Sequence, residues 1–399
     1  MRNEEEKLLK LVQNLIQIDS SDPGAYEGEI GIFITNWLRS HVPNAIIETQ
    51  EVLPGRHNIR AVLPGKISHP ALVFICHMDT VTLGDGWKKS TPLSGELLEG
   101  KIYGRGACDM KSGLACALSA FARAGALAAQ GQHPNHSLVL IASVDEEDFM
   151  RGAEKAIVSE WVTENDWVLD AEPTNGEIRM AHKGRTWFQV SVEGVTAHAS
   201  TPYKGADAIA GIAEIITRIR NEILAAPVHE ELGNSTVTFG MINGGYRPYV
   251  VPDKAKVWID MRLVPPLTPE CAKDIVARAI SQAEKLVPGI RGFYTITGNR
   301  PYVQKNPHSL LLSSLGRSIR HVTGQEAVVG VFPGYTDTAV IAGTLHNTNC
   351  MSYGPGNLEL AHKPDESVDI ADILRCEKVF THLITQMLYK DLTEPPSGI

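Results

Sequence analysis

The fold of this 399-residue chain is indicated by one short segment, residues 71–80, which reads ALVFICHMDT. Five apolar residues and a cysteine predict a buried β-strand, and His77 and Asp79 follow where that strand ends. Residues two apart on an extended strand point to the same side, so Asp79 is expected to reach one ring nitrogen of His77. The other nitrogen would then be free for a metal ion, as is usual for histidine ligands. A histidine that binds no metal is the alternative that this segment alone leaves open.

The overall composition is typical of a globular protein that does not bind nucleic acid. Hydrophobic residues make up 43% of the chain and charged residues 21%, while the net charge of −9 argues against the basic face of a nucleic-acid binder. We find no apolar signal region and expect no stretch able to span a bilayer, so the sequence predicts a cytoplasmic protein without membrane contact. The six cysteines include no Cys-x-x-Cys pair, which argues against a disulfide framework or a cysteine zinc site.

The length favours two domains, because one hydrophobic core rarely organises so long a chain. Residues 1–181 alternate strands and helices, and the same alternation resumes over residues 296–399. This order predicts an α/β domain with a mostly parallel central sheet, formed by both segments.

Residues 182–295 have a different character. They follow a β-α-β-β-α-β order, which predicts a small ferredoxin-like α+β domain inserted into the larger one.

Four further segments place acidic residues or a histidine next to predicted strands, helices or turns. They carry Asp109, Glu146 with Glu147, Glu172, and His362. Ligand sites in open α/β sheets form beyond the carboxyl ends of the strands, so one sheet edge could gather all of them. Two histidines and several carboxylates suit zinc, with other divalent ions possible. Each segment alone is also typical of a solvated turn, a helix cap or a surface loop, and only their combination predicts a metal site.

Taken in order, these motifs resemble the family of di-zinc deacylases and exopeptidases that includes acetylornithine deacetylase, succinyl-diaminopimelate desuccinylase and carboxypeptidase G. The matching motifs span most of the chain and are HMDT at 77–80, GRG at 104–106, DMKSG at 109–113, DEE at 145–147, AEPT at 171–174, GVTAH at 194–198, VP at 251–252, DMR at 260–262, AH at 361–362 and DE at 365–366.

The resemblance implies a zinc-peptidase-like catalytic domain that holds two Zn²⁺ ions, with Co²⁺ or Mn²⁺ as other possibilities. It implies that Asp109 bridges the ions, that His77 and Glu172 complete one shell, and that Glu147 and His362 complete the other.

The resemblance also implies the roles of residues that assist the metals. Glu146 would be the general base that activates a metal-bridging water, and Asp79 would orient His77. A cis peptide bond is expected between Asp109 and Met110.

Two residues of the small domain gain roles from the same resemblance. His198 would stabilise the developing oxyanion in the active site of the other subunit, which implies a homodimer joined through the small domains and domain closure on the substrate. Arg262 would hold a substrate carboxylate in its guanidinium fork. Without the resemblance, His198 is interpreted as a loop histidine, and Arg262 is explained equally well as a carboxylate clamp or as a surface strand residue.

Three departures from the family pattern concern the substrate. Tyr249 stands where the family commonly has an asparagine that helps to contact substrate, and Phe149 replaces part of a glycine turn and could line the pocket. Residues 334–339 lack the Ser-Asp-Gly-Arg run associated with the desuccinylase, which favours a general deacylase or carboxypeptidase-like member.

These observations predict an amide hydrolase that acts on N-acyl amino acids or small peptides with a free carboxylate. A dipeptidase or aminopeptidase on the same scaffold is the second enzyme hypothesis. A non-hydrolytic binding protein is the alternative from another class, and it predicts damaged ligand positions, whereas all five positions and the base are intact.

Overall fold

The computed structural model describes residues 2–389, within which the chain forms nine α-helices and seventeen β-strands. The helices are α1 (Arg2–Ile16), α2 (Gly28–His41), α3 (Lys111–Ala129), α4 (Arg151–Val158), α5 (Ala208–Leu224), α6 (Pro269–Leu286), α7 (Leu310–Thr323), α8 (Asp337–Leu345) and α9 (Ile370–Ile384). The strands are β1 (Ser21–Asp22), β2 (Ile46–Leu53), β3 (Arg56–Leu63), β4 (Ile67–His77), β5 (Thr80–Val81), β6 (Glu96–Leu98), β7 (Lys101–Tyr103), β8 (His136–Ser143), β9 (Trp167–Asp170), β10 (Ile178–His182), β11 (Gly184–Glu193), β12 (Thr236–Gly244), β13 (Lys254–Leu263), β14 (Arg291–Arg300), β15 (Val329–Phe332), β16 (Cys350–Ser352) and β17 (Ser367–Asp369).

The chain divides into two compact units. Within the described residues, the first comprises residues 2–180, 305–332 and 336–389, and the second comprises residues 181–304 and 333–335. The second unit therefore extends beyond the expected limit at residue 295. The reason is that β14 continues to Arg300, alternating exposed and half-buried residues along its whole length.

A mixed eight-stranded sheet forms the centre of the first unit, in the order β15-β10-β16-β9-β4-β8-β3-β2. Its four central strands, from β16 to β8, are parallel. The outer pairs β8–β3, β3–β2 and β16–β10 are antiparallel. The predicted α/β class is confirmed, but the parallel arrangement is limited to the centre. For β2 and β3 the cause is local, since the two-residue turn at 54–55 can join only antiparallel strands.

Helix α3 forms much of the core of this unit. It packs against α9, α1 and β4, and most of its side chains are buried. By length and composition alone this helix could cross a membrane, contrary to the prediction that no stretch of the chain could do so. Two-thirds of its apolar window is buried inside the fold, as in the core helix of a globular protein. Its many alanines allow this close packing, and they also raise its mean hydropathy.

The second unit is an antiparallel four-stranded sheet, in the order β12-β13-β11-β14, with α5 and α6 packed on it. Its chain order, β11-α5-β12-β13-α6-β14, is the predicted ferredoxin-like order. Side-chain caps fix the helix starts, because Asp207 and Thr268 accept N–H groups from the first turns of α5 and α6.

The ends of three central strands determine where the functional side chains lie. Along β4 and β8, His77 pairs with Ser143, and Ile75 of β4 pairs with Asp170 at the end of β9. Three strands therefore end together, and the segments that follow them leave the sheet at one edge.

All six cysteines are free thiols, and five of them are buried.

Candidate metal centre

The five predicted ligands meet at the carboxyl edge of the central sheet. Asp109 lies between the two histidines, with Oδ1 3.1 Å from His77 Nε2 and Oδ2 3.3 Å from His362 Nε2. Each histidine also faces one further carboxylate. Glu172 Oε1 is 3.7 Å from His77 Nε2, and Glu147 Oε2 is 3.0 Å from His362 Nε2. The two histidines differ in exposure. The His77 side chain is 1% exposed, whereas that of His362 is 50% exposed.

The donor set fits divalent cations. Two groups of residues, His77 with Asp109 and Glu147, and His77 with Glu146 and Glu172, have ligand atoms within 4.8 Å of one another. Imidazole nitrogens and carboxylate oxygens are common zinc ligands. Four largely buried carboxylates share this space, a concentration of negative charge that needs cations to stabilise it. The residues present therefore suit the metal ions that the motifs imply.

The electrostatics of the carboxylates support the same conclusion. Burial, together with neighbouring carboxylates, raises the pKa of Glu146 and of Glu172 well above the ordinary value. Burial would also raise the pKa of Asp109, but hydrogen bonds from His362 and His77 bring it below the ordinary value. Asp109 is thus the acid most strongly held in its ionised form, which suits a bridging ligand.

The pKa values of the two histidines are raised, whereas burial alone would lower the pKa of an imidazole. Burial alone would lower the pKa of His77, yet the hydrogen bond to Asp109 and the nearby carboxylates raise it well above the ordinary value. Hydrogen bonds with Asp109 and Glu147 raise the pKa of His362 to about 10. Because a metal ligand must be the neutral imidazole, metal binding at this site would release protons.

The predicted contact between the side chains of His77 and Asp79 is wrong in detail. His77 Nδ1 lies 2.9 Å from the main-chain oxygen of Asp79 and 3.7 Å from its Oδ1. Strand β4 ends at His77, so Asp79 has left the strand and the two-residue alternation no longer applies. The main-chain carbonyl therefore fixes the ring. The Asp79 carboxylate instead accepts the N–H of Glu147 at 3.0 Å, which ties together two ligand segments.

Sequence reasoning assigned no role to Glu366, which connects the two ligand loops. Its Oε1 accepts the main-chain N–H groups of Cys108 and Asp109 at 2.9 and 3.0 Å. Its Oε2 accepts a hydrogen bond from Arg105 at 2.6 Å. Glu366 follows His362 by four residues, so it links the Asp109 turn to the His362 loop. The peptide bond after Asp109 is cis, as the resemblance implies.

Replacing Glu366 by Leu should destabilise the protein by roughly 3–5 kcal/mol, because Arg105 would be left buried without its carboxylate partner. The matched control is Lys101→Met, which removes the exposed ion pair with Asp369 and should cost less than about 1 kcal/mol. Urea unfolding of both variants measures the difference. Equal effects would show that the Glu366–Arg105 pair contributes no more than a surface pair.

The segment around Glu146 and Glu147 turns sharply. Asp145 and Met150 both have positive φ, 68° and 60°. Phe149 is 41% exposed, and the guanidinium of Arg151 lies 4.9 Å from the centre of its ring.

Two further carboxylates near the cluster were not predicted. Asp170 ends β9 and accepts a hydrogen bond from Thr338, while Asp337 begins α8 and accepts one from Ser143. Burial raises the pKa of Asp170 to about 6 and that of Asp337 to about 7. In the sequence, only their positions could have indicated a role. Asp170 lies at the end of a strand, and Asp337 lies in the run at 334–339 that departs from the family pattern.

The remaining predicted site residues belong to the second unit. His198 is exposed, and its Nδ1 lies 2.7 Å from Ser200 Oγ. Arg262 donates to both carboxylate oxygens of Asp260, at 2.9 and 3.0 Å. Tyr249 is 59% exposed.

Comparison with known proteins gives a consistent result. A family model described as peptidase family M20/M25/M40 matches residues 73–386. A protein of Staphylococcus aureus named as a probable succinyl-diaminopimelate desuccinylase is 25% identical over 413 residues, which cover 96% of this chain and 98% of that protein. A probable carboxypeptidase of Emericella nidulans is 27% identical, over 95% of this chain and 89% of that protein.

Solved structures share the fold. An aminopeptidase PepT from Bacillus cereus matches with a TM-score of 0.78 and 22% identity, over 96% of this chain and 98% of that one. A Bacillus subtilis protein described as a dinuclear metal-binding peptidase matches with a TM-score of 0.74 and 16% identity, over 97% and 99% of the two chains.

Proposed function

The chain belongs to peptidase family M20/M25/M40, and we propose that it is a two-zinc amidohydrolase acting on N-acyl amino acids or short peptides with a free carboxylate. The observation that carries this proposal is the position of Asp109 between His77 and His362, with one further carboxylate beside each histidine. Co²⁺ or Mn²⁺ could take the place of zinc with the same donors.

The residues divide into two ligand sets that share one bridge. His77, Asp109 and Glu172 would hold one ion, and Asp109, Glu147 and His362 the other. Bound there, the cations would polarise the substrate carbonyl and stabilise negative charge on its oxygen.

Glu146 would perform the proton transfers. Its carboxylate takes a proton from the attacking water as the water oxygen bonds to the amide carbon, and it returns that proton to the amine nitrogen as the C–N bond breaks. The products are an acid and an amine. Burial raises the pKa of Glu146, whereas cations bound beside it would lower that pKa and favour the ionised carboxylate that a general base requires.

A panel of substrates tests the proposal directly. It pairs acetylornithine, succinyl-diaminopimelate and dipeptides with the same compounds carrying an amide in place of the free carboxylate. We expect turnover of the free acids and at least about tenfold lower kcat/KM for the amides, because Arg262 would bind the carboxylate through charge-assisted hydrogen bonds. Turnover of none of these compounds would contradict the proposal, and equal turnover of both forms would contradict the requirement for a free carboxylate and with it the role of Arg262. Preference for dipeptides would favour a dipeptidase.

The second unit would serve as a dimerisation and lid domain. In this proposal His198 stabilises the oxyanion in the active site of the partner subunit, and Tyr249 contacts substrate. Six free cysteines suit the reducing cytoplasm, where we place the protein.

Mixing two inactive variants should restore activity if His198 acts across a dimer. A heterodimer of His198→Ala and Glu146→Gln subunits contains one active site with both residues intact, so refolded mixtures should regain up to about a quarter of wild-type activity, the share given by random pairing of equal amounts. Steady-state assays of mixtures and of each variant alone measure this. Mixtures as inactive as their components would show that His198 acts within its own chain, and full activity of His198→Ala alone would show that His198 has no role in the reaction.

A further inference from the structure

A buried network of opposite charges lies behind Glu146. Arg56, at the start of β3, donates from Nε to Glu27 Oε2 at 2.6 Å and from Nη2 to Glu27 Oε1 at 2.5 Å. Its Nη2 also lies 2.7 Å from Asp22 Oδ2, and its Nη1 lies 3.3 Å from Asp145 Oδ1. Arg56, Glu27 and Asp145 are all buried, so each charge depends on the others for stabilisation.

Glu27 also holds the main chain next to Glu146. Its Oε1 accepts the N–H of Asp145 at 3.0 Å. Asp145 has a φ of 68°, in the left-handed region that residues other than glycine seldom adopt. The Asp145 carboxylate is held by Arg151, whose Nε and Nη2 donate to it at 2.5 and 2.6 Å. Contacts to its N–H and to its carboxylate therefore fix the conformation of the residue that precedes Glu146.

The loop is attached on its other side as well. The N–H of Glu147 donates to Asp79 Oδ2 at 3.0 Å. Asn58, two residues after Arg56 on β3, accepts the N–H of Val144 at 3.1 Å and donates to the oxygen of Gly152 at 2.8 Å. Strand β3 thus holds the loop through two side chains.

The position of the Glu146 carboxylate follows from these anchored neighbours. We propose that Arg56 and Glu27 are positioning residues for Glu146, which they place for proton transfer by holding Asp145 in its left-handed conformation. The inference rests on the proposed function. Neither residue needs to touch substrate, because a displacement of about 1 Å at a reacting group can lower the rate by about 10²-fold.

Two substitutions of Glu27 separate its hydrogen bond from its charge. Glu27→Gln keeps an oxygen that can accept the Asp145 N–H, whereas Glu27→Met has a similar size and no such acceptor. We expect Glu27→Met to lower kcat by about 10²-fold, with KM changed less than about twofold and metal content unchanged. Glu27→Gln should retain most of the activity. Equal kcat values for the two variants, per folded and metal-loaded protein, would overturn the proposal.

Arg56 gives an independent series. Arg56→Met removes the cation that the carboxylates of Glu27, Asp22 and Asp145 share, so kcat should also fall by about 10²-fold. Adding Glu27→Gln to Arg56→Met removes one of these charges and keeps the acceptor, and it should recover at least about tenfold in kcat. The matched control is Arg60→Met, on the same strand, which removes an ion pair with Glu48 and should leave kcat unchanged. A double variant as slow as Arg56→Met alone would count against the proposal.

Crystal structures of the Glu27 pair give a readout that needs no turnover. In Glu27→Met we expect the Glu146 carboxylate to move by about 1 Å or more, and in Glu27→Gln to superpose on the wild type. An unmoved Glu146 in Glu27→Met would contradict the positioning role even if kcat had fallen. A wild type that hydrolyses no compound of the panel would instead contradict the proposed function, while the structures still decide the positioning role.

Discussion

Replacing Glu146 by Gln should lower kcat by about 10²- to 10⁴-fold, while the metal ions remain bound. Glutamine has nearly the same shape as glutamate but cannot take a proton from water at neutral pH. In the proposed function Glu146 transfers the proton and is not a metal ligand, so its loss should remove the proton transfer alone. Steady-state kinetics on the best substrate of the panel, with metal content measured on the same samples, would show this.

The control for this experiment is Asp148→Asn, which makes the same chemical change two residues later. The Asp148 side chain is half exposed and lies 3.4 Å from Arg151. It should keep wild-type kcat. If Glu146→Gln also turned over at the wild-type rate, another base would have to carry the proton, and the mechanism would be wrong.

Replacing Asp109 by Asn should remove activity and weaken binding of both metal ions. Each oxygen of Asp109 faces a different histidine, so one substitution changes both ligand sets. Removal of a residue that only hydrogen-bonds to a metal ligand lowers metal affinity by roughly 10- to 100-fold, and Asp109→Asn should lower zinc affinity by more than this. Isothermal titration calorimetry with zinc measures the affinity of both sites.

The same Asp148→Asn control should bind zinc as the wild type does. Circular dichroism distinguishes loss of ligands from unfolding, since Asp109→Asn should keep its helix content. Two zinc ions bound at wild-type affinity would show that Asp109 is not the bridge.

The main parts of the fold could be predicted because their signals are local. Strand β4 is buried in the centre of the sheet, so its apolar run shows without interruption from Ala71 to Cys76. Helix α6 also begins at a local signal, because Thr268 caps it and Pro269 is its first residue. The candidate ligands were predicted from ordered motifs, and the structure brings His77 and His362 to the same carboxylate.

The parts that could not be predicted depend on contacts between distant segments. Glu366 contacts the main chain at Asp109, 257 residues earlier, and nothing near Glu366 in sequence shows this. Arg56 contacts Glu27 across 29 residues and Asp145 across a longer interval. The hydrogen bond of His77 to the Asp79 side chain was mistaken because β4 ends at His77, and the two-residue alternation does not apply beyond the end of a strand.

The unequal exposure of the two histidines has a consequence for how the enzyme would be assembled and inactivated. His77 is enclosed, whereas half of the His362 side chain is open to solvent. In the proposed function, water and competing chelators would therefore reach an ion held by Glu147 and His362 more easily than one held by His77 and Glu172. Loss of metal should proceed in two stages, with the outer ion exchanging first and the inner ion retained longer. A preparation at low zinc would accordingly contain a one-metal form of the enzyme.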